Sequence, residues 1–246
     1  MVYLKQNKME HNIKEIDVEG HITLNVIEKA DKFNEWMYHT IKKNCKGKIL
    51  EIGSGIGNIS KYFIKDKYDI TLSDLRENYC EILKKKYTNP IVKIDLVHPN
   101  FDSQYKEYLE TFDTVFALNV VEHIENDEKA IENCKKLLKA NGVLIILVPA
   151  YQALFNSFDV ELEHFRRYTP NSLKKIISKN GLTIQHTFSF NFIGIFGWYF
   201  SGNILKKKTI PEGQMGIFNL LVPIFKFADY ITFNKIGLSV INVSKK

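Results

Sequence analysis

Two runs in the chain have the residue types and spacing to do chemistry. The first is Glu51-Ile-Gly53-Ser-Gly55-Ile-Gly57, three alternate glycines behind an acid. Glycines so placed permit positive φ and let a backbone approach a ligand closely, while the amides of a following helix point at it. Glu51 stands where a carboxylate could meet a ligand ammonium group. Asp74 follows twenty-three residues later, where an acid accepts both hydroxyls of a ribose, and Asp95 lies within reach of an adenine ring in such a sheet. The second run, Asp159 to Thr169, packs three acids, His164, Arg166, Arg167 and Tyr168 into eleven residues. His164, with His123 of Asn119-Val-Val-Glu-His-Ile124, offers an imidazole able to take a proton near neutral pH. The plainer reading makes His123 a structural histidine and the second run a salt-bridged surface loop.

These residues need elements to position them. Apolar residues at spacings of three and four from Val26 to Ile41 predict a helix over 25–44. Short apolar strands then alternate with helices: strands at 48–52, 68–73, 90–94, 112–118 and 142–148, and helices at 59–64, 77–87 and 127–138. A helix follows near 170–180, started by Thr169 or Asn171, then strands at 181–190 and 237–243. Alternation of this kind implies a parallel sheet covered on both faces. The glycine run falls between the first strand and its helix. Asp74, Asp95, His123 and the 159–169 run all follow strands, at the carboxyl edge where α/β proteins bind ligands. Residues 1–20 are polar and expected to be loose, and about 191–235 is too long for a plain loop and reads as an insertion.

A nicotinamide oxidoreductase shares the glycines and the ribose acid. It usually shows GxGxxG and a site for the pyrophosphate. Here the third glycine comes one residue early, and Glu51 would repel a phosphate. In combination the residues resemble a class I S-adenosylmethionine-dependent methyltransferase. The resemblance is strong over about 47–149 and extends through the last strand. It rests on residues 51–57, Asp74, Asp95 and Asn119–Ile124, the last similar to the EHI/EHV motif of small-molecule methyltransferases, quinone-biosynthesis type included.

The resemblance implies an α/β, Rossmann-like, doubly wound sheet of seven strands, mostly parallel with an antiparallel last strand, and a helical aromatic-rich insertion between strands six and seven. It implies that Gly53, Gly55 and Gly57 pass the methionine part of S-adenosylmethionine. Asp74, with Leu75 beside it, would hold the ribose, Asp95 and Leu96 would flank the adenine, and Asn119 would lie beside the methionyl group. The product would be S-adenosylhomocysteine.

The stretch after the fifth strand resembles a bacterial methyltransferase subgroup with an LxHxRRYT block, matched through Ser157, Asp159, Leu162, His164, Arg166, Arg167 and Tyr168. The usual glycine before the histidine is Glu163 here. Tyr151, Arg166, Arg167 and Tyr168 are expected to shape an acceptor pocket, and His123 or His164 to take the acceptor's proton. O-methylation of a small molecule is the preferred reaction, in a natural-product, glycan or lipid pathway. N- or C-methylation, or a non-catalytic cofactor-binding or membrane-associated module, are the alternatives.

Length and composition fit one domain: 246 residues, 45% hydrophobic and 25% charged, values that exclude collagen, coiled coil and wholesale disorder. Within the domain, 45–150 is the cofactor-binding core and 151–180 the substrate side. Three scattered cysteines give no disulfide framework, and no Cys/His cluster suggests zinc, so reduced thiols, a cytoplasmic location and no metal are expected. The start has no apolar signal region. The net charge of +6 is uneven, with −1 over 1–140 and +7 over 141–246. That asymmetry points to an anionic partner or a solvated lysine face. No nucleic-acid-binding signature accompanies it. Aromatics from Phe192 to Phe200 precede Lys206-Lys-Lys208, and a second apolar patch spans 217–227. This insertion suits a cap over an apolar acceptor, a peripheral contact with the inner face of the membrane, or a homodimer contact.

Overall fold

The structure is a computed structural model that describes residues 18–207 and 212–246. Most of the segment expected to be loose, residues 1–17, lies outside the described residues, as does Lys208. Val18–Gly20 differ from the expectation, forming the first turn of helix α1 (Val18–Glu28).

The helix expected over 25–44 is two helices, α1 and α2 (Asp31–Lys42), with the break at Ala30. The periodicity runs on through the break because both halves are apolar, but they bury different faces. α2 packs Trp36, Met37 and Ile41 against the sheet, while Val26 and Ala30 form a small cluster with Met215. At the break Ile27 O accepts from Ala30 N at 2.9 Å and from the Asn34 side-chain amide at 2.7 Å, so the last turn of α1 is tied to α2. The bend carries α1 back over the glycine turn, where the Asn58 amide donates to Leu24 O at 2.9 Å.

From there the expected rhythm holds. The elements are β1 (Ile49–Ile52), α3 (Ser60–Lys65), β2 (Ile70–Asp74), α4 (Glu77–Lys86), β3 (Ile91–Lys93), α5 (Phe101–Gln104), β4 (Phe112–Leu118) and α6 (Asp127–Leu137). β5 (Leu138–Pro149), α7 (Ser157–Glu161), α8 (Pro170–Lys179) and β6 (Thr183–Phe190) follow. Thr169 caps α8, its side chain accepting from Ser172 N, with Pro170 next to it where its missing N–H costs nothing. Two helices, α9 (Gly194–Tyr199) and α10 (Glu212–Ile231), make up most of the insertion, and β7 (Ser239–Lys245) closes the sheet. A π-helical turn over Phe200–Ile204 extends α9.

The strand order is β3-β2-β1-β4-β5-β7-β6. β1 to β5 pair in parallel, and β7 runs antiparallel between β5 and β6. One face of the sheet packs Ile131, Leu137, Leu173 and Ile177 from α6 and α8; the other packs Ile41, Phe63, Leu83 and Val222 from α2, α3, α4 and α10. This is the doubly wound, Rossmann-like arrangement. The order reverses between β1 and β4, which opens a crevice outside the strands' carboxyl ends.

The insertion is anchored by one buried carboxylate. Asp229, near the end of α10, accepts the backbone N–H of Asn191 and of Phe192, each at 2.7 Å, where β6 gives way to the insertion. Burial raises the Asp229 pKa, and the two amides oppose that shift. Asp229→Ala leaves two enclosed donors without partners, and we expect a loss of about 2–4 kcal/mol in urea denaturation. Asp229→Asn keeps one acceptor and should lose less; equal loss from both would refute the anchoring role.

Candidate active site

A cavity of about 1170 Å³ opens at this switch point. Of the residues expected to hold a cofactor, Glu51, Gly53, Gly55, Asp74, Leu75, Asp95, Leu96 and Asn119 all line it. Gly57 does not. Gly53 has φ +71°, and a Cβ there would lie 2.4 Å from Val120 Cγ2. Gly57, at φ +89°, lies against the Tyr87 ring and serves the turn rather than the wall.

The acids at the strand ends are buried. Asp74 accepts from Gly55 N at 2.9 Å through one oxygen and from Arg76 N at 3.0 Å through the other. A carboxylate has about four lone-pair directions, so capacity remains for two hydroxyls. Glu51 accepts a hydrogen bond from the Ser60 hydroxyl, and burial pushes its pKa up to about 7. An acid in that state on a cavity wall is complementary to a ligand ammonium group. Asp95 is half-buried, its carboxylate turned back to Val97 N at 2.9 Å. These features fit an amino-acid-bearing nucleoside such as S-adenosylmethionine.

Opposite them stands a cluster that the sequence placed only in part. His164 Nδ1 lies 2.8 Å from Asp159 Oδ1, and Arg167 Nε donates to the same oxygen at 2.8 Å. Burial alone would raise the Asp159 pKa; the bonds from His164 and Arg167 overcome it and hold the group ionised, below its ordinary value. An ionised acceptor requires Nδ1 to carry the proton. His164 Nε2 is therefore left as an acceptor on the cavity side. The His123 ring meets the His164 ring at 4.5 Å, edge to face. The His123 side chain is 37% exposed on the cavity wall, and its pKa falls to about 3, from desolvation among the cavity's walls first and then from His164 and Arg76.

Beside both rings lies Glu122, with no exposure. Neither of its carboxylate oxygens has a hydrogen-bond partner, and burial pushes its pKa up to about 7. Its Oε1 is 4.0 Å from Nε2 of both histidines. Glu122, His123 and His164 thus bring three ligand-type atoms within 4.8 Å of one another. The expectation of no metal-binding cluster is corrected on this point. His123 and His164 are too far apart in the chain for spacing to reveal a group that the fold assembles.

The expected acceptor pocket divides. Arg167 lines the cavity, its guanidinium 4.7 Å above the Trp198 ring. Arg166, Tyr168 and Tyr151 do not line it. Arg166 donates to Glu125 O at 2.7 Å and pairs with Asp127 at 2.8 Å, and the Tyr168 hydroxyl donates to Asp127 at 2.7 Å. Tyr151 N–H donates to Tyr168 O at 2.7 Å. Arg166 and Tyr168 fasten the 159–169 run to the segment after β4, and Tyr151 ties it to the chain just after β5. Glu163 sits at φ +58°, the left-handed conformation that explains why glycine is usual before the histidine. The insertion adds Gly194, Gly197, Trp198, Met215 and Phe218 to the wall, in keeping with a cap. Asp159, Glu122 and Trp198 were not anticipated as site residues. Asn156 and Asp159 form a reciprocal capping box at the start of α7, a three-residue spacing visible in the sequence.

Residues 50–144 match a family model described as a methyltransferase domain. The chain is 27% identical over 176 residues to a ubiquinone biosynthesis O-methyltransferase of Photobacterium profundum, a match covering 66% of this chain and 75% of that one. It is also 27% identical over 129 residues to a highly reducing polyketide synthase of Pyrenophora dematioidea, covering 47% of this chain and 5% of that one. In structure it is similar to a SAM-dependent methyltransferase from Archaeoglobus fulgidus, with a TM-score of 0.55, 16% identity, and 87% and 94% of the two chains covered. The methyltransferase-domain match over residues 50–144, the sheet order and the acid-lined crevice at the switch point converge: the chain carries a methyltransferase domain with the fold of the class I S-adenosylmethionine-dependent enzymes.

Proposed function

We propose that the protein methylates a hydroxyl group of a small-molecule acceptor, with His164 as the base. The observation that carries this reading is the ionised Asp159 bonded to His164 Nδ1, which leaves Nε2 free to accept a proton inside the cavity. A carboxylate behind an imidazole fixes its tautomer and steadies the cation that forms. S-adenosylmethionine supplies the electrophilic methyl when bound.

The chain's own residues supply place and proton management. Glu51 is assigned to the cofactor's ammonium group and Asp74 to its ribose, with Leu75, Asp95 and Leu96 at the adenine. Gly53, Gly55 and Asn119 let the backbone come close along the methionine part. His164 Nε2 takes the acceptor's proton. His123, whose protonation is disfavoured, orients the acceptor by hydrogen bonding rather than holding the proton. Glu122 shares the proton with His164 or balances it, since at a pKa of about 7 it can lose its own. Trp198 and Arg167 close the acceptor side. The likeness to a ubiquinone biosynthesis O-methyltransferase supports oxygen as the acceptor atom.

Two predictions separate these assignments. With a hydroxylated acceptor identified by screening, His164→Ala should lower kcat by about 10²–10⁴-fold. Cofactor affinity by calorimetry should stay within about twofold, because His164 is not assigned to the cofactor. Asp159→Asn should lower kcat in the same direction, and His123→Ala should lower it less. Full rates in His164→Ala, or activity lost to EDTA and restored by a divalent cation, would remove His164 as the base.

The second concerns pH. Glu51 must be ionised to pair with an ammonium group, and its pKa of about 7 leaves it protonated below neutrality. S-adenosylmethionine affinity should therefore rise about tenfold from pH 6 to pH 8. Glu51→Gln should bind weakly and lose the dependence. A slope that survives in Glu51→Gln assigns the titration elsewhere.

A further inference from the structure

We propose that the outward face of α9 and α10 docks on the surface of an anionic lipid bilayer. α10 carries apolar residues on two opposite sides. One side packs Val222 and Phe225 into the core. The opposite side presents Ile217, Leu220, Ile224, Phe227 and Ile231, at spacings of three and four, each between 56% and 67% exposed. Tyr230 and Phe233 beside them are 74% and 77% exposed. α9 and its π-helical extension add Phe196, Tyr199, Phe200 and Ile204, all exposed. A monomer in water rarely shows so many large apolar side chains together without a partner to cover them.

Charge decides which partner. Lys206, Lys226 and Lys235 are exposed on the same two-helix unit. Asp229 is the one acid of the insertion whose side chain is described, and it is buried against the backbone of Asn191 and Phe192. An apolar face on a unit that carries exposed lysines and no described exposed acid matches an anionic interface, where each lysine near the surface adds attraction. A second copy of the same face would set these lysines against their own kind. Among the described residues no helix is long and apolar enough to cross a membrane, so the contact is with the surface. The same helices turn Trp198, Met215 and Phe218 to the cavity, so a docked face would place the cavity roof at the lipid.

Sedimentation with vesicles tests it. The protein should pellet with phosphatidylcholine vesicles containing about 30% phosphatidylglycerol and stay in solution with phosphatidylcholine alone. About 0.5 M sodium chloride should weaken binding strongly. The quadruple variant Ile217→Ser/Leu220→Ser/Ile224→Ser/Phe227→Ser should cut partitioning by at least about tenfold. Its folding is checked by circular dichroism. Lys226→Gln/Lys235→Gln leaves the apolar face intact and should cost about tenfold or more on the anionic vesicles. Folded wild-type protein that ignores anionic vesicles overturns the proposal. So does a concentration-dependent dimer that the quadruple variant abolishes while vesicles remain unbound, which would give the face to a second copy.

Discussion

The site is organised around one buried carboxylate. Asp159 has no exposure, yet stays ionised, because His164, Arg167 and the Asn156 amide all direct hydrogen bonds at it. Removing any of them would leave charge in an apolar surround, where a lone ion is very costly. The arrangement is therefore tightly constrained. Asp159 fixes the His164 tautomer, and Arg167 is held where its guanidinium also reaches Ala150 O and the Trp198 ring. The insertion, the strand β5 and the 159–169 run thus meet at one charge. Phe165 N–H donates to Glu122 O at 2.9 Å, which joins the run to the loop after β4 as well.

The sheet could be read from the sequence because a parallel strand buried on both faces leaves an unambiguous trace. Val143 to Val148 is continuously apolar, and the strand it predicts lies at the centre with Leu144 to Val148 fully buried. The glycine run and Asp74 could be read for a related reason. A tight strand–helix turn needs positive φ, and few residues other than glycine supply it. Such local requirements show in a single stretch of chain. Asp159 also left a local sign, its capping box with Asn156, but that sign speaks of a helix start and not of an imidazole five residues on.

What could not be read is what the fold assembles across distance. Glu122 sits inside the very motif that suggested a methyltransferase, yet its place beside two imidazoles depends on His164, which arrives from another loop. Arg166 and Tyr168 have the composition of a ligand pocket, but both point at Asp127 and hold a loop in place. Charge density alone does not say whether a guanidinium faces a ligand or its own chain. The break between α1 and α2 escaped for another reason. A helical period continues across a bend when both sides of the bend are apolar, and only the Asn34 amide, donated to Ile27 O, marks where it occurs.

Glu51 and Glu122 give the cavity a charge that depends on what enters it. Both are fully enclosed, and both rise from 4.5 to about 7 through burial. The folded state thus binds protons more tightly than the unfolded chain between those values. It loses stability as pH rises through that interval, by up to roughly 3 kcal/mol for each group, and the loss is complete above pH 7. A core built only for stability would place apolar side chains at both positions. Keeping two acids there makes sense where the missing countercharge comes from outside the chain. At Glu51 the proposed countercharge is the ammonium group of the cofactor. At Glu122 it is, on the proposed mechanism, the proton gained by His164, whose Nε2 lies 4.0 Å away. With a pKa of about 7 each acid is near half ionised at neutral pH, and a cation beside it shifts it toward the anion. The same burial that destabilises them therefore couples cofactor binding and proton transfer to one cavity.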